Sequence, residues 1–152
     1  MTHRSVAAEA GLPSSAATYY FRSLDDLLTA AMTSVIDAYA EHLQAIADRG
    51  GGVDELAEFI AELLRDHRER AVAECELYLL AARRRSLRPA ALRWTALVSQ
   101  ALAPSAPDDA TVRAAVATVD GVMLHALLLD EPPNASDIRS TLAPLLATAC
   151  GA

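Results

Sequence analysis

Residues 2–28 read THRSVAAEAGLPSSAATYYFRSLDDLL and predict two short helices joined by a tight turn. Thr2 can cap the first helix, and Gly11 can adopt the left-handed backbone conformation that the turn needs. A second short helix then runs to near Tyr20, and Ala7 is small where the two helices must cross. The pattern is typical of a helix-turn-helix.

The tail of this segment, Thr18 to Leu28, resembles the junction between the recognition helix and the long fourth helix of the tetracycline-repressor (TetR) family. In that family the junction reads approximately tyrosine-tyrosine-histidine-phenylalanine, one residue, serine, lysine, glutamate, one residue, leucine, leucine. Here the lysine is Leu24 and the first tyrosine is Thr18, and no counterpart of the family's first helix precedes Met1. We therefore expect a TetR-like head, residues 1–23, that lacks the family's first helix.

The resemblance implies that the head binds double-stranded DNA. Base edges would be contacted by Arg4, Ser14, Ala16, Ala17 and Thr18, and phosphates by Thr2 and Tyr19. The charge is not that of a general nucleic-acid binder, because 13 basic residues face 20 acidic ones and the net charge is -7. Binding would therefore depend on contacts focused at two half-sites.

Composition indicates an all-α protein. The chain has 152 residues, of which 53% are hydrophobic and only 5% aromatic. That length corresponds to one domain, or one domain with a small head, and it suffices to bury a sizeable core. Glycine and proline separate long stretches of alanine and leucine, which favour helices.

Apolar residues recur at spacings of three and four after the head, which predicts a series of helices. Residues 24–48 form a linking helix with a capping-box-like start at Ser23, and Gly50 to Gly52 end it. Residues 53–152 form a body for ligand binding and dimerisation. Its helices are expected at about 54–67, 69–85, 86–102, 108–129 and from 134 onward, with Ser86 and Asn134 as caps and a kink at Pro144.

The last two helices are predicted to form a homodimer interface, because a chain of this length has little core left to cover them. The residues expected there are Val116, Val119, Gly121, Leu124, Leu127, Ile138, Leu142 and Leu145. Gly121 is unfavourable inside a helix. It permits either a close helix approach in the dimer or a tight crossing within one chain, and the sequence leaves both open.

In TetR-family proteins a small-molecule effector enters a pocket between the middle helices. The residues that could line such a pocket here are Phe59, Leu63, Tyr78, Trp94, Met123 and His125. They would form an apolar wall with few polar groups. Taken one at a time, each is better explained as a core residue, so the pocket prediction rests on the family resemblance.

The sequence contains no motif that predicts catalysis, a cofactor or a metal. HExxH, GxSxG, a Glu-x-x-His pair and a phosphate-binding glycine loop are all lacking. Cys75 and Cys150 lie far apart without matching histidines, which indicates neither a disulfide framework nor a zinc site. No apolar run is long enough for a membrane helix and no secretion signal is recognisable, so we expect a cytoplasmic protein.

The function expected from these observations is that of a bacterial one-component transcriptional regulator. It would bind a palindromic operator as a dimer, act as a repressor, and be released by a small, mainly apolar ligand. The main alternative is a truncated or decayed family member that acts only as a helical ligand-binding and dimerisation body, without DNA binding. An all-helical enzyme or cofactor carrier is a third and weaker alternative.

Overall fold

The computed structural model describes residues 2–11 and 13–147, with the backbone only at His3, Ser14, Ala16 and Ala17. In this part of the chain every regular element is helical, and the all-α prediction is confirmed. The helices are α1 His3–Glu9, α2 Ser14–Tyr20, α3 Leu24–Asp48, α4 Val53–Asp66, α5 Arg68–Ala81, α6 Arg88–Leu102, α7 Asp109–Ala126 and α8 Ala135–Ala147. Short 3₁₀ turns, Arg85–Leu87 and Ala103–Ser105, precede and follow α6.

The head consists of α1, the turn at Gly11 and α2. Thr2 and Ser5 form a capping box, in which the Ser5 amide donates to the Thr2 hydroxyl at 3.2 Å. Gly11 has a φ of 66°, as the turn requires, and Ala7 is buried between the helices. The helix-turn-helix predicted from residues 2–28 is therefore present in the structure.

The linking helix α3 is the longest element, with 25 residues and a length of roughly 37 Å. Ser23 and Asp26 form its capping box, and the Asp26 amide donates to the Ser23 hydroxyl at 3.0 Å. One face of α3 is buried along its whole length. At its carboxyl end Gly51 has a φ of 73°, and a Cβ there would lie 2.8 Å from the Ala101 carbonyl oxygen, so the turn needs glycine for two reasons.

Two apolar clusters pack on α3. The larger joins its second half to α4, α7, α8 and the end of α6, and includes Leu43, Ile60, Val98, Val119 and Leu142. The smaller joins its first half to the end of α5, the first 3₁₀ turn and the start of α6, and includes Leu28, Met32, Ile36 and Leu87. Helix α3 begins directly after the head and belongs to both clusters. It therefore links the head to the centre of the body.

Helix α5 is shorter than the predicted helix of residues 69–85. The Arg88 guanidinium donates to the carbonyls of Ala81 and Ala82, at 3.3 and 3.1 Å, and these bonds occupy carbonyls at the end of the helix. The prediction that Ser86 caps α6 is wrong, because its hydroxyl donates to Asp25 at 3.1 Å. These contacts create a connection between α5 and α6 that also touches the start of α3.

The end of α7 also differs from the prediction, since the helix stops at Ala126 and not near Leu129. Arg68, the first residue of α5, donates to the carbonyls of Leu127 and Leu129 at 2.8 and 2.9 Å. A cation at the negative end of a helix is favourable, so this contact ties α5 to α7. Asn134 and Asp137 bond reciprocally at the start of α8, where the sequence predicts a cap.

Candidate functional site

A cavity lies between α3, α5, α6 and α7, where the two apolar clusters meet. It encloses about 140 Å³, similar to an engineered cavity that binds a single benzene ring. Its lining residues are Met32, Val35, Ile36, Tyr39, Glu74, Cys75, Leu77, Tyr78, Leu79, Trp94, Asp120, Met123 and Leu124. The enclosed part of the cavity therefore fits one aromatic ring, and a larger ligand must also occupy the open side, where Leu79 and Leu124 are exposed, or displace a wall.

Aromatic rings shape the inner end of the cavity. The Tyr39 ring on α3 lies edge-on to Trp94 on α6, with centroids 6.2 Å apart, and edge-on to Phe59 at 5.2 Å. Trp94 and Tyr39 face the cavity, whereas Phe59 packs behind Tyr39 and stacks on His42 at 4.9 Å. The arrangement offers ring surfaces to a flat apolar ligand.

Two carboxylates interrupt this apolar lining. Glu74 on α5 accepts from the Tyr39 hydroxyl at 2.9 Å and from Arg70 at 2.7 Å, and the Arg70 guanidinium lies 4.9 Å from the centre of the Tyr39 ring. Burial and the neighbouring Glu74 charge raise the pKa of Tyr39. Glu74 is thus part of a network that already contains a cation.

Asp120 on α7 is in a different environment. Burial raises the pKa of its carboxyl group, and a hydrogen bond from the Trp94 indole at 3.4 Å lowers that pKa in part. Burial also raises the pKa of the nearby Cys75 thiol, and the charges of Glu74 and Asp120 add to this effect. Cys75 is therefore a poor nucleophile, because little of it is thiolate near neutral pH.

The pocket residues predicted from sequence divide into two groups in the structure. Tyr78, Trp94 and Met123 line the cavity. Phe59 lies behind Tyr39, Leu63 is buried in the larger cluster, and His125 is exposed on α7. Sequence reasoning missed Tyr39, Glu74, Cys75 and Asp120, and the available signal was Asp120, a lone carboxylate in the mostly apolar second half of α7.

The residues predicted for the dimer interface also have different surroundings. Val116, Val119, Ile138 and Leu142 are buried within the single chain, because α4 covers α8 and α8 covers α7. Gly121, Leu127 and Leu145 are half-buried, and Leu124 is 45% exposed. A Cβ at Gly121 would meet nothing within 4 Å in the described chain, so a tight crossing inside this chain does not explain the glycine.

The residues predicted to contact DNA lie on α1, α2 and their flanks. Arg4 is exposed on α1, Thr2 caps it, and Thr18 is exposed on α2 with its hydroxyl donating to the Ser15 carbonyl at 3.1 Å. Tyr19 is 82% exposed and lies edge-on to Tyr20, which is 75% exposed. Ser14, Ala16 and Ala17 are on α2, but their side chains lie outside the described part of the chain.

The described residues contain neither a candidate metal site nor a helix that could span a membrane. No group of three or more histidine, cysteine, aspartate or glutamate side chains there could hold a metal ion. None of the helices in the same residues has the length and apolar character that a membrane crossing requires.

The structure thus consists of a helical body with a cavity, preceded by a helix-turn-helix, and comparison with known proteins identifies the family. The family model of the tetracyclin repressor-like C-terminal domain matches residues 47–148. The chain therefore belongs to the TetR family, whose members are transcription regulators and not enzymes. None of the curated proteins compared with it matches significantly.

Solved structures resemble the whole described chain. The multidrug binding protein EbrR in complex with ethidium is 38% identical with a TM-score of 0.78, and the match covers 95% of this chain and 86% of EbrR. The proflavin complex of EbrR gives 37% identity and a TM-score of 0.70, covering 95% and 87%. The transcriptional regulator SCO7518 from Streptomyces coelicolor A3(2) is 27% identical with a TM-score of 0.63, covering 97% and 87%.

Proposed function

We propose that this protein is a dimeric repressor that binds a palindromic operator and is released by a small, flat, mainly apolar ligand. The observation that carries the proposal is the aromatic cavity closed by α5, because α5 is joined to the start of α3, the helix that leads from the head. Membership of a family of transcription regulators supports the same conclusion.

The ligand class follows from the cavity and from its relatives. EbrR, at 37–38% identity, binds ethidium and proflavin, which are planar and multi-ring. In this chain Trp94, Tyr39 and Tyr78 supply ring surfaces for such a ligand. Since the cavity of about 140 Å³ is smaller than the roughly 300–1,000 Å³ of drug-sized pockets, binding would push one wall outward.

Helix α5 is the wall best able to move. Only Ala71 and Ala81 are fully buried among its residues, so few apolar contacts hold its middle in place. Its start is fixed to the end of α7 by Arg68, and the segment after it is fixed to the start of α3 by the Arg84–Asp25 ion pair. A displaced α5 would therefore pull on α3 and alter the separation of the two heads, a coupling typically of about 1–3 kcal/mol.

The operator would be read by the head in the manner that the resemblance implies. In a two-fold dimer the α2 helices would enter successive major grooves about 34–36 Å apart. The residues proposed for base contacts remain Arg4, Ser14, Ala16, Ala17 and Thr18, and those for phosphate contacts Thr2 and Tyr19. The exposure of the Tyr19 and Tyr20 rings supports an intermolecular role for the end of α2.

The dimer would form through the outer face of α7 together with α8. Exposed or half-buried small residues repeat there at helical spacing, at Ala114, Ala117 and Gly121, and Leu124 follows in the same row. The open space around Gly121 supports close packing by a second copy. Four residues first predicted for the interface are buried within the chain: Val116, Val119, Ile138 and Leu142. They would pack beneath the residues that contact the second copy.

Ligand binding can be tested with the tryptophan of the cavity. Trp94 is the only tryptophan in the sequence, so the intrinsic emission of the protein reports on this site. We expect ethidium to quench that emission in a saturable way, with one ligand per chain, because the ligand would stack beside the indole. Direct absorption of light by ethidium would also lower the measured emission, so Trp94→Phe is the control. Its ethidium binding is followed through the emission of the bound ligand. Saturable ethidium binding that leaves the Trp94 emission unchanged would place the ligand elsewhere.

A further inference from the structure

The two carboxylates that line the cavity have different partners. Glu74 is paired with Arg70 and also accepts from Tyr39, so its charge is largely balanced. Asp120 has no ion pair within the described chain, and its hydrogen bond from the Trp94 indole is long, at 3.4 Å. None of the residues that the structure places around the cavity is a lysine, arginine or histidine. Asp120 is therefore the carboxylate in this lining whose charge lacks a cation.

The position of Asp120 suits a cationic ligand. Its carboxylate lies next to the Trp94 ring, and tryptophan is the side chain whose ring face attracts cations most strongly. A flat cation stacked on the face of this ring would contact aromatic surface and lie within reach of the negative charge at the edge of the ring, in a partly water-excluded site. Such a charge pair is stronger there than in water.

We propose that Asp120 is the counter-ion that makes the cavity prefer planar aromatic cations over uncharged aromatics of the same shape. This inference rests on the proposed function, in that it assumes a flat aromatic ligand in the same cavity. It adds the charge of the ligand, the residue that recognises this charge, and a dependence on pH.

The pH dependence follows from the free carboxyl group. Burial raises the pKa of Asp120 in the ligand-free protein, and a bound cation would lower that pKa by favouring the charged form. Cation binding would then release a proton, so affinity rises with pH through the free pKa and is constant above it. The other titratable groups facing this space are Glu74, Cys75 and Tyr78 on α5 and Tyr39 on α3; α6 contributes the Trp94 indole, which does not titrate.

The test compares two ligands and two variants. Ethidium carries a fixed positive charge, whereas phenanthridine has the same ring system without it. The dissociation constants of both are measured between about pH 5 and pH 8 for the wild type, for Asp120→Asn, and for Asp130→Asn, which removes an equal charge from an exposed loop.

We expect Asp120→Asn to weaken ethidium binding at least about tenfold at the upper pH and to remove its pH dependence. Phenanthridine binding should be unchanged or tighter in the same variant, and Asp130→Asn should change ethidium binding by less than about twofold. Asparagine has nearly the same shape as aspartate and removes a charge whose burial is unfavourable, so the variant should fold. Thermal unfolding and phenanthridine binding check that it does.

Two results separate this inference from the proposed function. If Asp120→Asn binds ethidium as tightly as the wild type, the counter-ion assignment is overturned while the ligand cavity stands. If folded wild-type protein binds neither ethidium nor phenanthridine, the proposed function itself fails.

Discussion

Truncating Leu142 to alanine is expected to lower the free energy of unfolding by about 2–5 kcal/mol. Leu142 is 0% exposed inside the larger apolar cluster, where α8 packs on α4 and α7. The truncation removes its apolar contacts and leaves a cavity that close-packed helices fill only in part. Denaturant unfolding of the wild type and the variant measures the change.

The control for this prediction is Leu92→Ala on α6. Leu92 is 66% exposed, so the same chemical change should cost less than about 0.5 kcal/mol. Equal losses for the two variants would mean that α8 is not packed on the body as described.

Replacing Gly121 with tryptophan is expected to weaken the proposed dimer by about 30-fold to 10⁴-fold. Overpacking a tight contact costs about 1–3 kcal/mol, and a two-fold interface contains the substitution twice, which gives about 2–6 kcal/mol and the stated range. Within one chain a Cβ at this position meets nothing within 4 Å among the described residues, so the fold should tolerate the change. Sedimentation equilibrium of the two proteins measures the dissociation constant.

Two matched variants accompany Gly121→Trp. Ala38→Trp adds the same ring to an exposed position on α3 and should leave the dimer intact. Gly121→Ala removes a helix-unfavourable glycine and should stabilise the folded chain by up to about 1 kcal/mol. Undiminished dimerisation of Gly121→Trp would exclude this face of α7 from the interface.

The fold was predictable because its signals are local. Apolar residues at helical spacing mark α3 and α4, and Ser23 with Asp26 marks the start of α3 within one residue. The ends of α5 and α7 were not predictable, because Arg88 and Arg68 occupy carbonyls through contacts with other elements. Periodicity records which residues can be buried, but not which distant side chain ends a helix.

The cavity was predictable only in part, for a related reason. Phe59 and Trp94 are both aromatic residues on middle helices, yet the rotation of each helix turns Trp94 toward the cavity and Phe59 toward His42. Only three-dimensional packing fixes that rotation. The buried part of α8 was assigned to a partner because the sequence does not show that α4 covers it.

The proposed function requires that a ligand in the cavity releases this protein from a specific operator. The direct measurement selects bound duplexes from a random pool at about 0.15 M salt, where purely phosphate-mediated binding is weakened. Operator binding is then titrated with ethidium for the wild type and for Trp94→Ala, each relative to its ligand-free affinity. Intercalation of ethidium into the duplex affects both titrations alike, so their difference reports on the cavity.

We expect a palindrome to be enriched and ethidium to lower the operator affinity of the wild type by about 5-fold to 150-fold. Trp94→Ala should need at least about tenfold more ethidium for release. The proposed function would be contradicted by a folded, dimeric sample that enriches no sequence. Release of the wild type and Trp94→Ala at the same ethidium concentration would contradict it equally.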